Sequence, residues 1–326
     1  MHLGMIFVLS GFFLGAAGAW AISRLAPRLG LIDEPESRSS HARPTPRGGG
    51  IGIWLVVALG GGTGLLSPVP ALAGWLVGMV SLWDDLRPLS AWLRLASQLG
   101  LAAVALVFVW QDPSPAIMFW LVPGVLFVAG TANFFNFMDG INGIAACSGL
   151  VAFTLLALFA ALSGADAGMM WFCGAMAAAC AGFLPFNVPK ARVFMGDVGS
   201  VTLGFLFALC TISLAGSWPD FVCMAFFLFP FYADTLTTLF VRWRDGERLS
   251  QAHRRHLYQL LANEYGLPHW LVCLVYAIVQ CVCGFLMLSA WRTGPFFQLL
   301  CVAAATLLFL AAAWPLRRAV EVGREV

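Results

Sequence analysis

A chain of 326 residues that is 60% hydrophobic and only 10% charged, with a mean hydropathy of +0.86, is excluded from the water-soluble class, in which about a quarter of residues are charged. A net charge of +2 names no nucleic-acid or strongly acidic partner, so what charge has to say lies in its distribution. Nine cysteines sit in or beside apolar stretches with no paired motif, and they read as small buried hydrophobes, not as disulfides or metal ligands.

In chain order, apolar windows of roughly twenty residues, the length needed to cross a bilayer as a helix, fall near 4–23, 49–66, 69–83, 96–110, 117–135, 142–163, 168–186, 199–216, 219–241, 269–290 and 295–315. No alternation of the kind that marks a membrane barrel is present. The predicted fold is an all-α polytopic membrane protein of about eleven transmembrane helices, one domain over 1–326. Seventeen of the eighteen Lys and Arg residues fall in one alternate set of loops, and only Arg292 falls in the other. By the positive-inside rule this predicts a periplasmic N-terminus and a cytoplasmic C-terminus. Tryptophans at span ends, among them Trp83, Trp92, Trp218, Trp243, Trp270, Trp291 and Trp314, are expected to anchor at the membrane interface.

The outer loops at 67–68, 111–115, 163–166 and 216–220 are short and plain, whereas the inner side holds five polar clusters. The first runs from Asp33 through His41 and Arg47 to Gly48-Gly49-Gly50. Its prolines fix an extended course and its glycines allow close backbone approach. An anion-holding loop and a basic anchor explain it equally well. The second is Asp84-Asp85, two adjacent carboxylates at a helix end, whose repulsion a divalent cation or a proton would relieve. Third comes Asn133-Phe134-Phe135-Asn136-Phe137-Met138-Asp139-Gly140-Ile141-Asn142-Gly143, an inventory suited to hydrogen bonding a nucleobase, a sugar or metal-bound water. In the fourth, Asp197 stands between glycines just before a span, with Lys190 and Arg192 nearby, a pattern that suits a metal-bound phosphate. The fifth places Arg242, Arg244 and Arg248 ahead of His253-Arg254-Arg255-His256, a basic surface for phosphate. Asp234, within a span beside Pro230, either lines the site or pairs with an arginine of the next loop.

Five motifs in this order resemble the polyprenyl-phosphate N-acetylhexosamine-1-phosphate transferases, over most of the chain from Asp33 to His256. Asp84-Asp85 match that family's paired aspartates, and Asn136 to Gly143 match its Asn-x-x-Asp-Gly-x-Asn/Asp-Gly stretch. Phe194-Met195-Gly196-Asp197-Val198-Gly199-Ser200 match its metal-binding segment, and His253 to His256 its histidine motif. The resemblance implies transfer of an N-acetylhexosamine 1-phosphate from a UDP-sugar to undecaprenyl phosphate, with release of UMP, at the cytoplasmic face of a bacterial inner membrane. It implies Mg²⁺, with Mn²⁺ able to substitute, held by Asp197, while Asp84, Asp85 and Asp139 act in catalysis. Substrate would be held by His41, Arg47, Asn136, Asn142, Lys190, Arg192, His253, Arg254, Arg255 and His256. The muramoyl-pentapeptide branch carries three consecutive histidines where this chain has His-Arg-Arg-His. The resemblance therefore points to a branch that starts O-antigen or another surface polysaccharide, with a 6-deoxy-N-acetylhexosamine as one donor of that kind. Its partners are the two substrates and membrane lipid, with no nucleic acid, and a homodimer is left open. The alternative class is a secondary transporter for an anionic substrate, which would place polar residues near the midplane in broken helices.

Overall fold

The computed structural model describes residues 2–35, 40, 43–110, 115–249, 251 and 253–325, so His41 lies outside the described residues. The helices are α1 (His2–Leu29), α2 (Ile51–Gly62), α3 (Pro68–Leu86), α4 (Ala91–Trp110), α5 (Pro115–Phe137), α6 (Ile144–Ser163), α7 (Ala167–Asn187), α8 (Asp197–Leu214), α9 (Trp218–Ala225), α10 (Phe229–Arg244), α11 (Leu257–Asn263), α12 (His269–Thr293) and α13 (Pro295–Glu325). Each apolar window in the sequence falls on one of these, with α9 and α10 sharing a window. A single 3₁₀ turn at Phe226–Leu228 joins that pair, next to Pro230, which cannot donate to a continuing helix.

Among the described residues, nine helical segments are long and apolar enough to cross a membrane. The two windows that fall short do so for different reasons. Helix α2 has 12 residues, about 18 Å at ~1.5 Å per residue against the roughly 30 Å of a bilayer core. Helix α3 has 19 residues, but Asp84 and Asp85 occupy its last turn and lower its hydropathy. Among the described residues, one small departure from an all-helical chain is present: β1 (Ile32–Asp33) pairs antiparallel with β2 (Thr45–Pro46) and ties together the two ends of the first polar loop. Of the seven tryptophans expected as anchors, six are exposed. Trp291 instead turns inward, where its Nε1 donates to Asp220 Oδ1 at 2.6 Å.

Helix α8 is the central pole, buried along almost all its length from Val198 to Ile212. It packs against α2, α3, α4, α5 and α6. A helix that is apolar on nearly all sides has no preferred face, so burial all round is its stable solution. Its first residue is Asp197, so the pole fixes that carboxylate in place. Helix α13 lies at the other extreme, at the periphery, with only about a tenth of its most apolar stretch buried.

Candidate active site

The chain near the tip of α8 is knitted to the first polar loop by backbone hydrogen bonds. Gly49 N donates to Phe194 O at 2.9 Å, Gly50 N to Met195 O at 2.8 Å, and Phe194 N to Pro46 O at 2.7 Å. These amides are therefore committed to the fold, and the glycine run serves close approach. A Cβ on Gly50 would stand 2.4 Å from Gly199 Cα, a separation no side chain tolerates. Gly196 has φ +74°, a conformation that L side chains rarely adopt, and a Cβ there would lie 2.7 Å from Asp85 Oδ2.

Into this junction α3 brings its two aspartates, which take different parts. Asp85 accepts from Asp197 N at 3.1 Å and from Val198 N at 3.0 Å, so it caps α8 and satisfies two amides that have no partner within the helix. Asp84 accepts from Leu89 N at 2.6 Å and from Arg94 Nη1 at 2.8 Å. The same Arg94 nitrogen lies 3.2 Å from Asp197 Oδ2, and Asn136 Nδ2 donates to Asp197 Oδ1 at 2.9 Å and to Ser200 Oγ at 3.0 Å. Arg47 Nη2 donates to the backbone carbonyl of Asp85 at 2.6 Å.

Beside these groups lies a polar cavity of about 400 Å³, and from the expected set it is lined by Arg47, Asp85, Asn136, Asp139, Asn142, Asp197 and His253. Residues from five separated stretches of chain thus meet in one place. Burial, and then the negative Asp197 and Asp85, push the Asp139 carboxyl well above the usual carboxylate range. Burial, and then the neighbouring His256 and the Arg242 cation, push His253 down to about 4, so it enters the cavity as a neutral hydrogen-bonding group.

Other expected residues are spent elsewhere. Arg255 pairs with Asp245 Oδ2 at 2.7 Å and with Glu247 Oε1, and it lies outside the cavity. Arg192 Nη2 folds back onto Pro185 O at 2.8 Å, with its guanidinium 5.1 Å from the Phe186 ring. His256 is buried against Asp234, while Lys190 and Arg254 are exposed and do not line the cavity. Three of the five arginines in the basic loop are bound to acids of that same loop, since Arg242 also reaches Glu247 Oε2 at 2.7 Å and Arg244 reaches Asp245. Asp234 neither lines the cavity nor pairs with an arginine of the next loop; its arginine is Arg317 of α13, at 2.8 Å.

The structure adds groups that the motifs did not single out. Arg94 bridges Asp84 and Asp197, and Gln259 and His269 also line the cavity, together with Asp33 and Glu34 of the first polar cluster. His269 Nδ1 accepts from Asn142 N at 3.3 Å. Arg94 was visible as a basic residue near a span end, and the structure shows it on the first turns of α4 facing two carboxylates.

Among the described residues, no cluster of three or more His, Cys, Asp or Glu is arranged as a ready metal cage. The donor set nevertheless fits Mg²⁺, which is usually held by one or two carboxylates together with substrate phosphates. Five acids line the cavity against one arginine, and Asp139, raised first by burial and then by Asp197 and Asp85, is a carboxyl whose charge a hard cation would stabilise.

Residues 68–215, the stretch that contains Asp84, Asp85, Asn136, Asp139 and Asp197, match the sequence profile described as "Glycosyl transferase family 4". The chain is a homologue of polyprenyl-phosphate sugar-phosphate transferases. It is 28% identical over 306 residues to the decaprenyl-phosphate N-acetylglucosaminephosphotransferase of Mycobacterium tuberculosis, covering 78% of this chain and 74% of that one. It is 25% identical over 279 residues to a probable undecaprenyl-phosphate N-acetylglucosaminyl 1-phosphate transferase of Bacillus subtilis, covering 79% and 76%. The phospho-N-acetylmuramoyl-pentapeptide-transferase of Nostoc punctiforme is 34% identical over 235 residues, covering 63% and 64%. Similarity thus runs to both branches, and the resemblance drawn from the motifs holds at the level of the wider group.

Proposed function

We propose that this chain transfers an N-acetylhexosamine 1-phosphate from a UDP-sugar to a polyprenyl phosphate, with undecaprenyl phosphate as the acceptor in a bacterial inner membrane. The observation that carries this reading is the convergence of Asp85, Asn136, Asp139, Asn142 and Asp197 in one polar cavity at the ends of apolar helices. A lipid phosphate oxygen attacks the β-phosphorus, the bond from that phosphorus to the bridging oxygen breaks, and UMP leaves with the electron pair. Bringing two anions together is the difficulty, so positioning and charge neutralisation dominate. A bound Mg²⁺, held by Asp197 with Asp139 nearby, would supply that neutralisation. Asn136 holds the Asp197 carboxylate in orientation, and Asp85 fixes the helix that carries it. Asn142, His253 and His269 line the cavity and are assigned the nucleotide sugar, and Arg47 its diphosphate. The short histidine motif supports initiation of O-antigen or a related surface polymer.

A transporter would need a midplane group free to bind its cargo. The deepest carboxylate, Asp234, is fully buried and already accepts from protein donors on both oxygens. Purified protein given undecaprenyl phosphate, Mg²⁺ and a panel of UDP-N-acetyl sugars should release UMP from at least one of them. Activity should vanish in EDTA and return with Mg²⁺ or Mn²⁺, whereas full turnover in EDTA with no bound metal would remove the assignment of Asp197.

The charge split supports a cytoplasmic cavity. On a cysteine-free background, Lys190→Cys should label from the cytoplasmic side and Ala165→Cys from the periplasmic side. Labelling of both from one side would overturn the proposed topology.

A further inference from the structure

Helix α13 lies at the periphery, yet it sends one guanidinium into the interior. Arg317 is 4% exposed and Asp234 is 0% exposed. The Asp234 carboxylate gathers several donors. Oδ1 accepts from Leu257 N at 2.7 Å, from Arg317 Nη2 at 2.8 Å and from Thr238 Oγ1 at 3.2 Å. Oδ2 accepts from Tyr276 OH at 2.7 Å and from Tyr258 N at 3.1 Å. Two of these donors are the opening amides of α11, which have no acceptor within the helix. Arg317 makes a second contact as well: its Nη1 donates to Arg255 O at 2.8 Å. One side chain therefore grips the segment ahead of α11 by its backbone and the start of α11 through Asp234.

The far side of that segment is tied to the cavity. Tyr258 OH donates to Phe137 O at 2.9 Å, two residues before Asp139. The ring also packs so close to Gly140 that a Cβ there would lie 2.2 Å from its hydroxyl. His253 and Gln259, which flank these anchor points, both line the cavity, as does Gly140. A buried ion pair is weak evidence of stabilisation, because desolvation offsets the attraction, and its better attested use is to fix one arrangement.

We infer that Arg317, acting through Asp234 and Tyr258, is a positioning residue that holds segment 253–259 so that His253 and Gln259 face the nucleotide sugar. The inference deepens the proposed function and rests on it for the identity of the ligand. Arg317 touches no cavity group itself. Its loss lets the segment shift by enough to weaken donor binding, since small misplacements of positioning groups cost large factors.

Full-length Arg317→Lys and Tyr258→Phe in detergent micelles test this by two readouts. Lysine keeps the charge but has one nitrogen, which cannot serve Asp234 and the Arg255 carbonyl with the fork geometry of a guanidinium. Amide hydrogen exchange across 257–260 should rise about tenfold or more in Arg317→Lys, with α8 unchanged. KM for the UDP-sugar should rise by about tenfold in both variants while kcat stays near the parent value. Parental exchange and parental KM in folded Arg317→Lys would overturn the inference. If Arg317→Lys does not fold, Tyr258→Phe decides: raised donor KM supports the strut, and parental KM overturns it. If the unaltered protein turns over no UDP-sugar, the functional reading fails, and the exchange comparison still decides the clamp.

Discussion

Asp197→Asn should lower turnover a hundredfold or more, a loss of at least about 2.7 kcal/mol of transition-state stabilisation, while the protein inserts and folds normally. The substitution keeps the size of the side chain and its place at the first turn of α8. The contact with Asn136 Nδ2 at 2.9 Å survives if the amide oxygen takes the position of Oδ1. What is lost is the negative charge facing the cavity, and with it the hard ligand for a cation. KM for the lipid should change little, because the damage falls on the step in which charge develops. A variant with parental kcat and an altered donor KM would show that Asp197 serves recognition and not chemistry.

Asp85→Asn should be damaging in another way, by loosening the tip of α8 itself. Both carboxylate oxygens accept from amides, of Asp197 and of Val198. An asparagine offers one acceptor and turns an N–H toward the other amide, leaving that donor buried without a partner. The expected loss of stability is about 1–3 kcal/mol, read as a lowered Tm in detergent. Turnover should fall by about a hundredfold as well, because Asp197 moves with the helix tip. Asp84→Asn provides the contrast, since Asp84 holds Leu89 N and Arg94 and leaves α8 capped. If Asp85→Asn keeps the parental Tm and loses only turnover, Asp85 acts as a base toward the lipid phosphate and its role as a cap is secondary.

The membrane class and several of the residues that line the cavity were legible in the sequence for separate reasons. Apolar windows need no tertiary knowledge, because lipid imposes helices on the backbone. Asp84, Asp85, Asp139 and Asp197 stood out because carboxylates beside such windows are costly and need a purpose. Which partner each finds could not be read. The division of labour between Asp84 and Asp85 depends on the approach of α8, more than a hundred residues away in sequence. Arg317 and Asp234 are separated by 83 residues, so Arg317 looked like one more interfacial basic residue. Arg255 looked like a phosphate ligand because its acids, Asp245 and Glu247, sit in the same short loop, and sequence does not say which charges cancel. His269 passed as the opening residue of an apolar helix, and only the fold shows its ring against the 138–143 turn.

The balance of charge around the cavity has a kinetic consequence. Asp33, Glu34, Asp85, Asp139 and Asp197 line it against Arg47, and the amides of Gly49 and Gly50 are not free to cradle phosphate, being already donated to Phe194 and Met195. On the proposed function, a bare nucleotide diphosphate would meet this acidic lining uncompensated, so the species expected to compete for the site is the nucleotide already paired with its counter-ion. Encounter should then follow the concentration of that complex and not of total nucleotide, and excess chelator should slow arrival before it slows chemistry.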